Sequence, residues 1–188
     1  ASLIGAAIGA EEIQIWTDID GMHNNDPRIV EKTSPVRHLH FEEAAELAYF
    51  GAKILHPTCI LPAKLNNIPV RLLNTMQPEA PGTMISNMTE KGKIKAVAAK
   101  DNITSIKIKS GQTPIDMVTT SEVGVSVTID NRKHLEEIVD DLKKYGTVTV
   151  DEDMVIVCVV GDLEWDNVGF EARIVQAMKD VPVRMISY

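Results

Sequence analysis

Cysteine is scarce in this chain. Its 188 residues include Cys59 and Cys158, far apart and in no C-x-x-C pair, so a reduced, cytoplasmic protein is the simplest expectation. Aromatic residues make up 4%, too few for platforms on which nucleic-acid bases stack. Positive charge is outnumbered, with Lys and Arg totalling 19 against 27 Asp and Glu, for a net charge of −8. That balance argues against nonspecific binding of nucleic acid or anionic membranes, which needs basic patches. It leaves room for ATP, which needs only a local basic pocket. No apolar run reaches the roughly 18 residues of a membrane span, and no signal peptide is visible. A starting Met is absent too, and residues 1–10 open within a helix-like pattern, so the chain is expected to be a piece of a longer one.

The remaining composition, 44% hydrophobic and 24% charged, suits one globular domain or two small ones. The most informative stretch is Trp16-Thr17-Asp18-Ile19-Asp20-Gly21-Met22-His23-Asn24-Asn25-Asp26-Pro27-Arg28. It follows a short apolar run, residues 13–16, that reads as a buried strand, then breaks into turn residues. Ligands of open α/β sheets bind outside the carboxyl ends of strands. A Thr-Asp pair there offers a hydroxyl, a carboxylate and backbone groups, and Arg28 offers a planar fork suited to phosphate.

Around this stretch, residues 2–11 read as a small-residue helix and 17–37 as loop. Residues 41–55 carry an apolar face at helical spacing, with Glu42, Glu43 and Glu46 as a solvated helix start. His56-Pro57 ends or kinks that helix, and 58–66 suggest another. Residues 68–74 read as a strand, 77–82 as turn and 83–86 as a short strand. Residues 89–93 form a polar linker. Beyond it, 103–109 and 123–129 alternate as half-buried strands. Residues 131–145 form an acidic amphipathic helix with Leu135, Ile138, Val139 and Leu142 inward. Strands at 147–150 and 154–160, a helix at 168–178 and a strand at 182–187 complete the pattern. Methionines are expected as core filler. His38 and His40 would share one face of a strand, with no Cys or carboxylate cluster beside them to make a metal site.

Five motifs, in this order and spacing, carry a family resemblance: Trp16-Thr17-Asp18-Ile19-Asp20-Gly21, Asp26-Pro27-Arg28, Phe50-Gly51-Ala52-Lys53-Ile54-Leu55-His56-Pro57, Pro81-Gly82-Thr83 and Asp116-Met117-Val118-Thr119-Thr120-Ser121-Glu122-Val123. The chain resembles aspartokinase, from the carboxyl-terminal half of its amino-acid kinase domain into its ACT regulatory domains. The resemblance implies an α/β partial kinase fold over residues 1–88. It implies α+β ferredoxin-like ACT modules over 94–188. It also implies ATP-dependent phosphorylation of L-aspartate to 4-phospho-L-aspartate, with Mg²⁺ accompanying ATP. Carried over by motif, Thr17 and Asp18 would meet the adenosine end and Arg28 the phosphates. Lys53 and Ile54 would close on ATP. His23 stands where many members have Tyr.

The family's phosphate-binding and aspartate-holding segments precede the part matched here, so this stretch is not expected to catalyse alone. In the first ACT module, the strand at 103–109 runs through Ser110-Gly111-Gln112-Thr113 straight to Pro114. That is too short for a βαβ crossover, which takes about 10–12 residues at least. Either the helix is deleted or residues are left out of the sequence, and the end of the second module is likewise missing. In the family an amino-acid effector sits where the first module pairs with another subunit's, so a homodimer is implied. Ile115, Asp116, Thr120, Ser121 and Glu122 would hold L-lysine or L-threonine, and the Thr-Thr-Ser-Glu run looks most like lysine-sensitive members. The rival readings are a stand-alone effector-binding and dimerisation module, and another amino-acid kinase such as one acting on glutamate.

Overall fold

The computed structural model describes residues 1–51, 55–109, 119–121, 124–162 and 169–186. The chain divides into two units. One comprises Ala1–Ala99 with Val157–Phe170, the other Lys100–Ile156 with Glu171–Tyr188. The fold is mixed α/β.

In the first unit, α1 (Ser2–Ile8) ends on Gly9, whose left-handed conformation lets its N–H reach back to the last carbonyls. Gly5 lets the helix sit against the Ile13 side chain. The sheet that follows has the order β1-β3-β4-β2, with β1 at Ile13–Thr17, β2 at His38–His40, β3 at Val70–Asn74 and β4 at Thr83–Ser86. β1 runs parallel to β3, pairing Ile13 with Val70 and Thr17 with Asn74. β3 runs antiparallel to β4, and β4 parallel to β2. As an inner strand β3 is buried on both faces, which explains its nearly unbroken apolar run. β1 lies at the sheet edge and is only half-buried: Trp16, expected inside, is 47% exposed. At three residues, β2 is too short to show an alternating pattern.

α2 (Phe41–Phe50) begins with a reciprocal cap. The His40 ring accepts from Glu42 N–H, and the Glu43 carboxylate accepts from His40 N–H at 2.7 Å. The helix stops at Phe50, short of the expected residue 55, though Leu55 still reaches the core. α3 (Pro57–Leu65) opens with Pro at the position where a missing N–H costs nothing, and His56 caps it. The core gathers Ile13, Met22, Leu39, Phe41, Leu47, Ile60, Leu72 and Ile85. Among the methionines Met22 is buried, but Met76 and Met88 are largely exposed, so filler suits only some of them. Glu43, expected in solvent, is buried. Its Oε2 accepts from Lys95 Nζ at 2.7 Å, with Lys95 equally sealed. Cys158 packs against this core, and its burial pushes the thiol up to about 11, aided by the Glu46 carboxylate.

Strand β5 (Ile94–Lys109) is far longer than the sequence pattern suggested. Its first half packs in the first unit and its second half belongs to the second unit. There the sheet order is β6-β7-β5-β8, with β6 at Thr119–Ser121, β7 at Gly124–Ile129 and β8 at Thr147–Gly161. β7 is antiparallel to both β5 and β6. β8 is one strand where two were expected. Its acidic middle lies within the strand, with Asp153 at φ 54, a conformation that Asp tolerates better than most residues. α4 (Leu135–Leu142) and α5 (Phe170–Ala177) are shorter than expected and contribute no buried residue. Residues 182–186 form no strand.

Candidate functional site

The parallel strands β1 and β3 end side by side at Thr17 and Asn74. That is the place where an open α/β sheet offers unpaired groups to a ligand. Thr17 Oγ1 donates to Asp18 Oδ1 at 3.0 Å, and the Thr17 carbonyl accepts from Thr75 N–H at 2.8 Å. Asn74, 7% exposed, uses Oδ1 to accept from Met76 N–H. The outward rim is left to the exposed Asp18 and to Met76, which is 80% exposed.

The loop after β1 is clasped rather than loose. Asn24 N–H donates to Ser34 O at 2.9 Å and Val36 N–H to Met22 O at 2.7 Å, so residues 22–24 and 34–36 run antiparallel. Asn24 Oδ1 accepts from Ser34 N–H as well. His23 lies within the clasp, with Nε2 2.7 Å from Asp20 Oδ1 and Nδ1 2.8 Å from Thr33 Oγ1. Both ring nitrogens are thus used inside the loop.

Thr83 fastens the clasp to the sheet. Its fully buried hydroxyl accepts from Met22 N–H at 2.9 Å and donates to Val36 O at 2.6 Å. Two glycines make the approach possible. A side chain on Gly82, at φ +64, would run into the Leu72 carbonyl, and one on Gly21, at φ +124, into the Thr83 hydroxyl. Arg37 then donates to the Gly82 carbonyl at 3.1 Å. The Pro81-Gly82-Thr83 motif is therefore the anchor of the loop.

Beyond the clasp, Asp26 orders Arg28. Its carboxylate accepts from Arg28 N–H and, as a two-pronged pair, from Nε and Nη2. That hydrogen bonding and charge hold the guanidinium more firmly protonated still. Arg28 is 69% exposed and turned onto Asp26 rather than toward Thr17 and Asp18. Lys53 and Ile54, and Ile115, Asp116 and Glu122, lie outside the described residues. The main chain of Thr120 and Ser121 is in β6, opposite Val125 and Gly124. Asn24, Asn74 and Lys95 were given no role by any motif in the sequence. Asn74, an amide closing an apolar strand, was the one with a visible signal.

The amino acid kinase family model matches residues 1–74. The whole chain aligns with aspartokinase 1, chloroplastic, of Arabidopsis thaliana at 36% identity over 218 aligned positions. The chain belongs to the aspartokinase family. It spans 38% of that relative's length. Among solved structures, all of the chain matches E. coli aspartokinase III in complex with aspartate and ADP at TM-score 0.87 and 30% identity, covering 48% of it. The same E. coli protein in complex with lysine and aspartate matches at TM-score 0.80 and 32% identity, again over 100% of this chain and 48% of that one. Thr17 and Asp18 lie at the strand ends, and Pro81-Gly82-Thr83 holds the loop between them and Arg28.

Proposed function

We propose that this chain belongs to an enzyme that transfers the γ-phosphoryl group of MgATP to the side-chain carboxylate of L-aspartate. A carboxylate oxygen attacks the γ-phosphorus, the bond to the β,γ-bridging oxygen breaks, and ADP leaves with that electron pair. The product is 4-phospho-L-aspartate. The observation that carries this reading is the paired carboxyl ends of β1 and β3, with Thr17 and Asp18 beside a loop fastened by Thr83. Similarity to a protein solved with aspartate and ADP supports the choice of substrates.

In this reading Thr17 and Asp18 face the adenosine end and Arg28 swings from Asp26 to the phosphates. Lys53 and Ile54 close on the nucleotide from beyond α2. A Lys or Arg there neutralises charge on the transferring group. His23, with both ring nitrogens engaged, shapes the loop. Mg²⁺ is taken as part of the nucleotide substrate, held largely by the phosphates. Residues 1–88 supply the carboxyl-terminal part of the kinase domain, and 94–188 supply ACT-type modules that pair between two subunits. Ile115, Asp116, Thr120, Ser121 and Glu122 hold lysine or threonine there. The relative solved with lysine supports that assignment. The Arabidopsis alignment spans more positions than the 188 residues of this chain, in keeping with a stretch of that relative that has no counterpart in this sequence.

The test is phosphoryl transfer by the full-length protein, with the acyl phosphate trapped by hydroxylamine. Aspartyl hydroxamate should form, glutamate should give none, and added lysine or threonine should inhibit. Glutamyl product, or no hydroxamate from either acid, overturns the assignment.

A further inference from the structure

The first residues of β5 pack in the first unit and touch three of its segments at two-residue intervals. Lys95 Nζ lies 2.7 Å from Glu43 Oε2, in the first turn of α2. The same oxygen accepts from His40 N–H, and Glu90 lies 4.0 Å from the ammonium. Val97 N–H donates to the Asn24 carbonyl at 2.9 Å, within the clasped loop. The Ala99 carbonyl oxygen stands 3.1 Å from where a Cβ on Gly51 would sit, at the end of α2. So one short strand segment meets the loop bearing Asp18, His23 and Arg28, the start of α2, and the residue just before 52–54.

The Lys95 and Glu43 side chains are 3% and 9% exposed. Glu43 Oε1 is buried with no hydrogen-bond partner among the described residues. A carboxylate in that setting depends on its one ammonium, so the pair fixes the distance between β5 and α2. Val97 passes that constraint to Asn24, and the loop cannot shift along α2 without breaking one bond or the other.

We infer that Lys95 is a positioning residue for nucleotide binding: through Glu43 and the neighbouring Val97–Asn24 bond it holds the loop after β1 in register with α2. The inference rests on the proposed kinase reading. It differs from a purely structural role in what it does to the two substrates. A displaced loop weakens ATP and leaves the acceptor amino acid alone.

The experiment uses the full-length protein and the variants Lys95→Met, Lys95→Arg, Glu43→Gln and the Lys95→Met/Glu43→Gln double variant. Lys95→Met should raise the KM for ATP about tenfold, with that for aspartate nearly unchanged, since small misplacements of binding groups cost on this scale. Glu43→Gln should do the same to a smaller degree, and the double variant should be no worse than Lys95→Met, because both act through one contact. Lys95→Arg, which keeps the charge, should recover most of the ATP affinity. A folded Lys95→Met protein with a lower Tm but an unchanged ATP KM overturns the inference, as does an equal rise in both KM values. If Lys95→Met fails to fold, Glu43→Gln carries the same prediction. If the unmodified protein phosphorylates no aspartate, the kinase reading fails by itself. ADP affinity by titration calorimetry then decides the inference, expected to be about tenfold weaker in the variant and overturned if equal.

Discussion

In the first unit β3 is flanked on both edges, and Leu39, Val70, Leu72 and Ile85 are sealed from water. In the second, the inner strand residues Ile103, Ile106 and Val127 are buried, yet neither α4 nor α5 contributes a buried residue. The two units also handle charge differently. The first buries the Lys95–Glu43 pair, whereas the second spreads Arg132, Lys143 and Lys144 pairs over its surface. An amphipathic pattern states which face of a helix is apolar. How far that face is closed depends on what lies against it.

Substitutions sharpen this contrast. The largest loss is expected from Phe41→Ala, about 3–5 kcal/mol by denaturant unfolding, because a fully buried ring leaves a cavity. Ile138→Ala on α4, half-buried, should cost only about 1 kcal/mol. Equal losses would break the contrast and mean that α4 is closed over in solution. Thr83→Val comes next below Phe41→Ala, at about 2 kcal/mol, because it strands Met22 N–H and the Val36 carbonyl in a dry site. The same variant should speed proteolysis within residues 25–33, and an unchanged cleavage rate would remove Thr83 as the anchor. The smallest effect belongs to Arg132→Ala. It removes contacts to Glu152 and Asp153 on an open surface, and its unfolding midpoint should match the unmodified protein's at high salt.

Much of the first unit was legible because its signals are local. Turn residues after residue 16 and Pro57 between two helices mark boundaries by their own chemistry. The long strands β5 and β8 were read short. Asn102 and the acidic run at 151–153 look like interruptions, whereas the ladder tolerates a left-handed Asn or Asp within it. Trp16 was misplaced because an apolar run does not say whether its strand is inner or edge. At the candidate site, strand-end logic pointed to Thr17 and Asp18, and the structure places Thr17 as the last residue of β1 with Asp18 next to it. Thr83, Asn24 and Lys95 act through partners many positions away in sequence, which no local pattern encodes.

The sealed Lys95–Glu43 pair bears on how such a protein can be cut. The polar stretch at 89–93 invites a truncation there, yet Lys95 lies just beyond it. A fragment ending in that stretch keeps Glu43 but loses its ammonium and the strand that packs over it. It also loses the Val160 and Cys158 packing. Dissection of the chain into independently soluble halves therefore has to carry the first residues of β5 with the amino-terminal piece, or replace Glu43 by a neutral side chain.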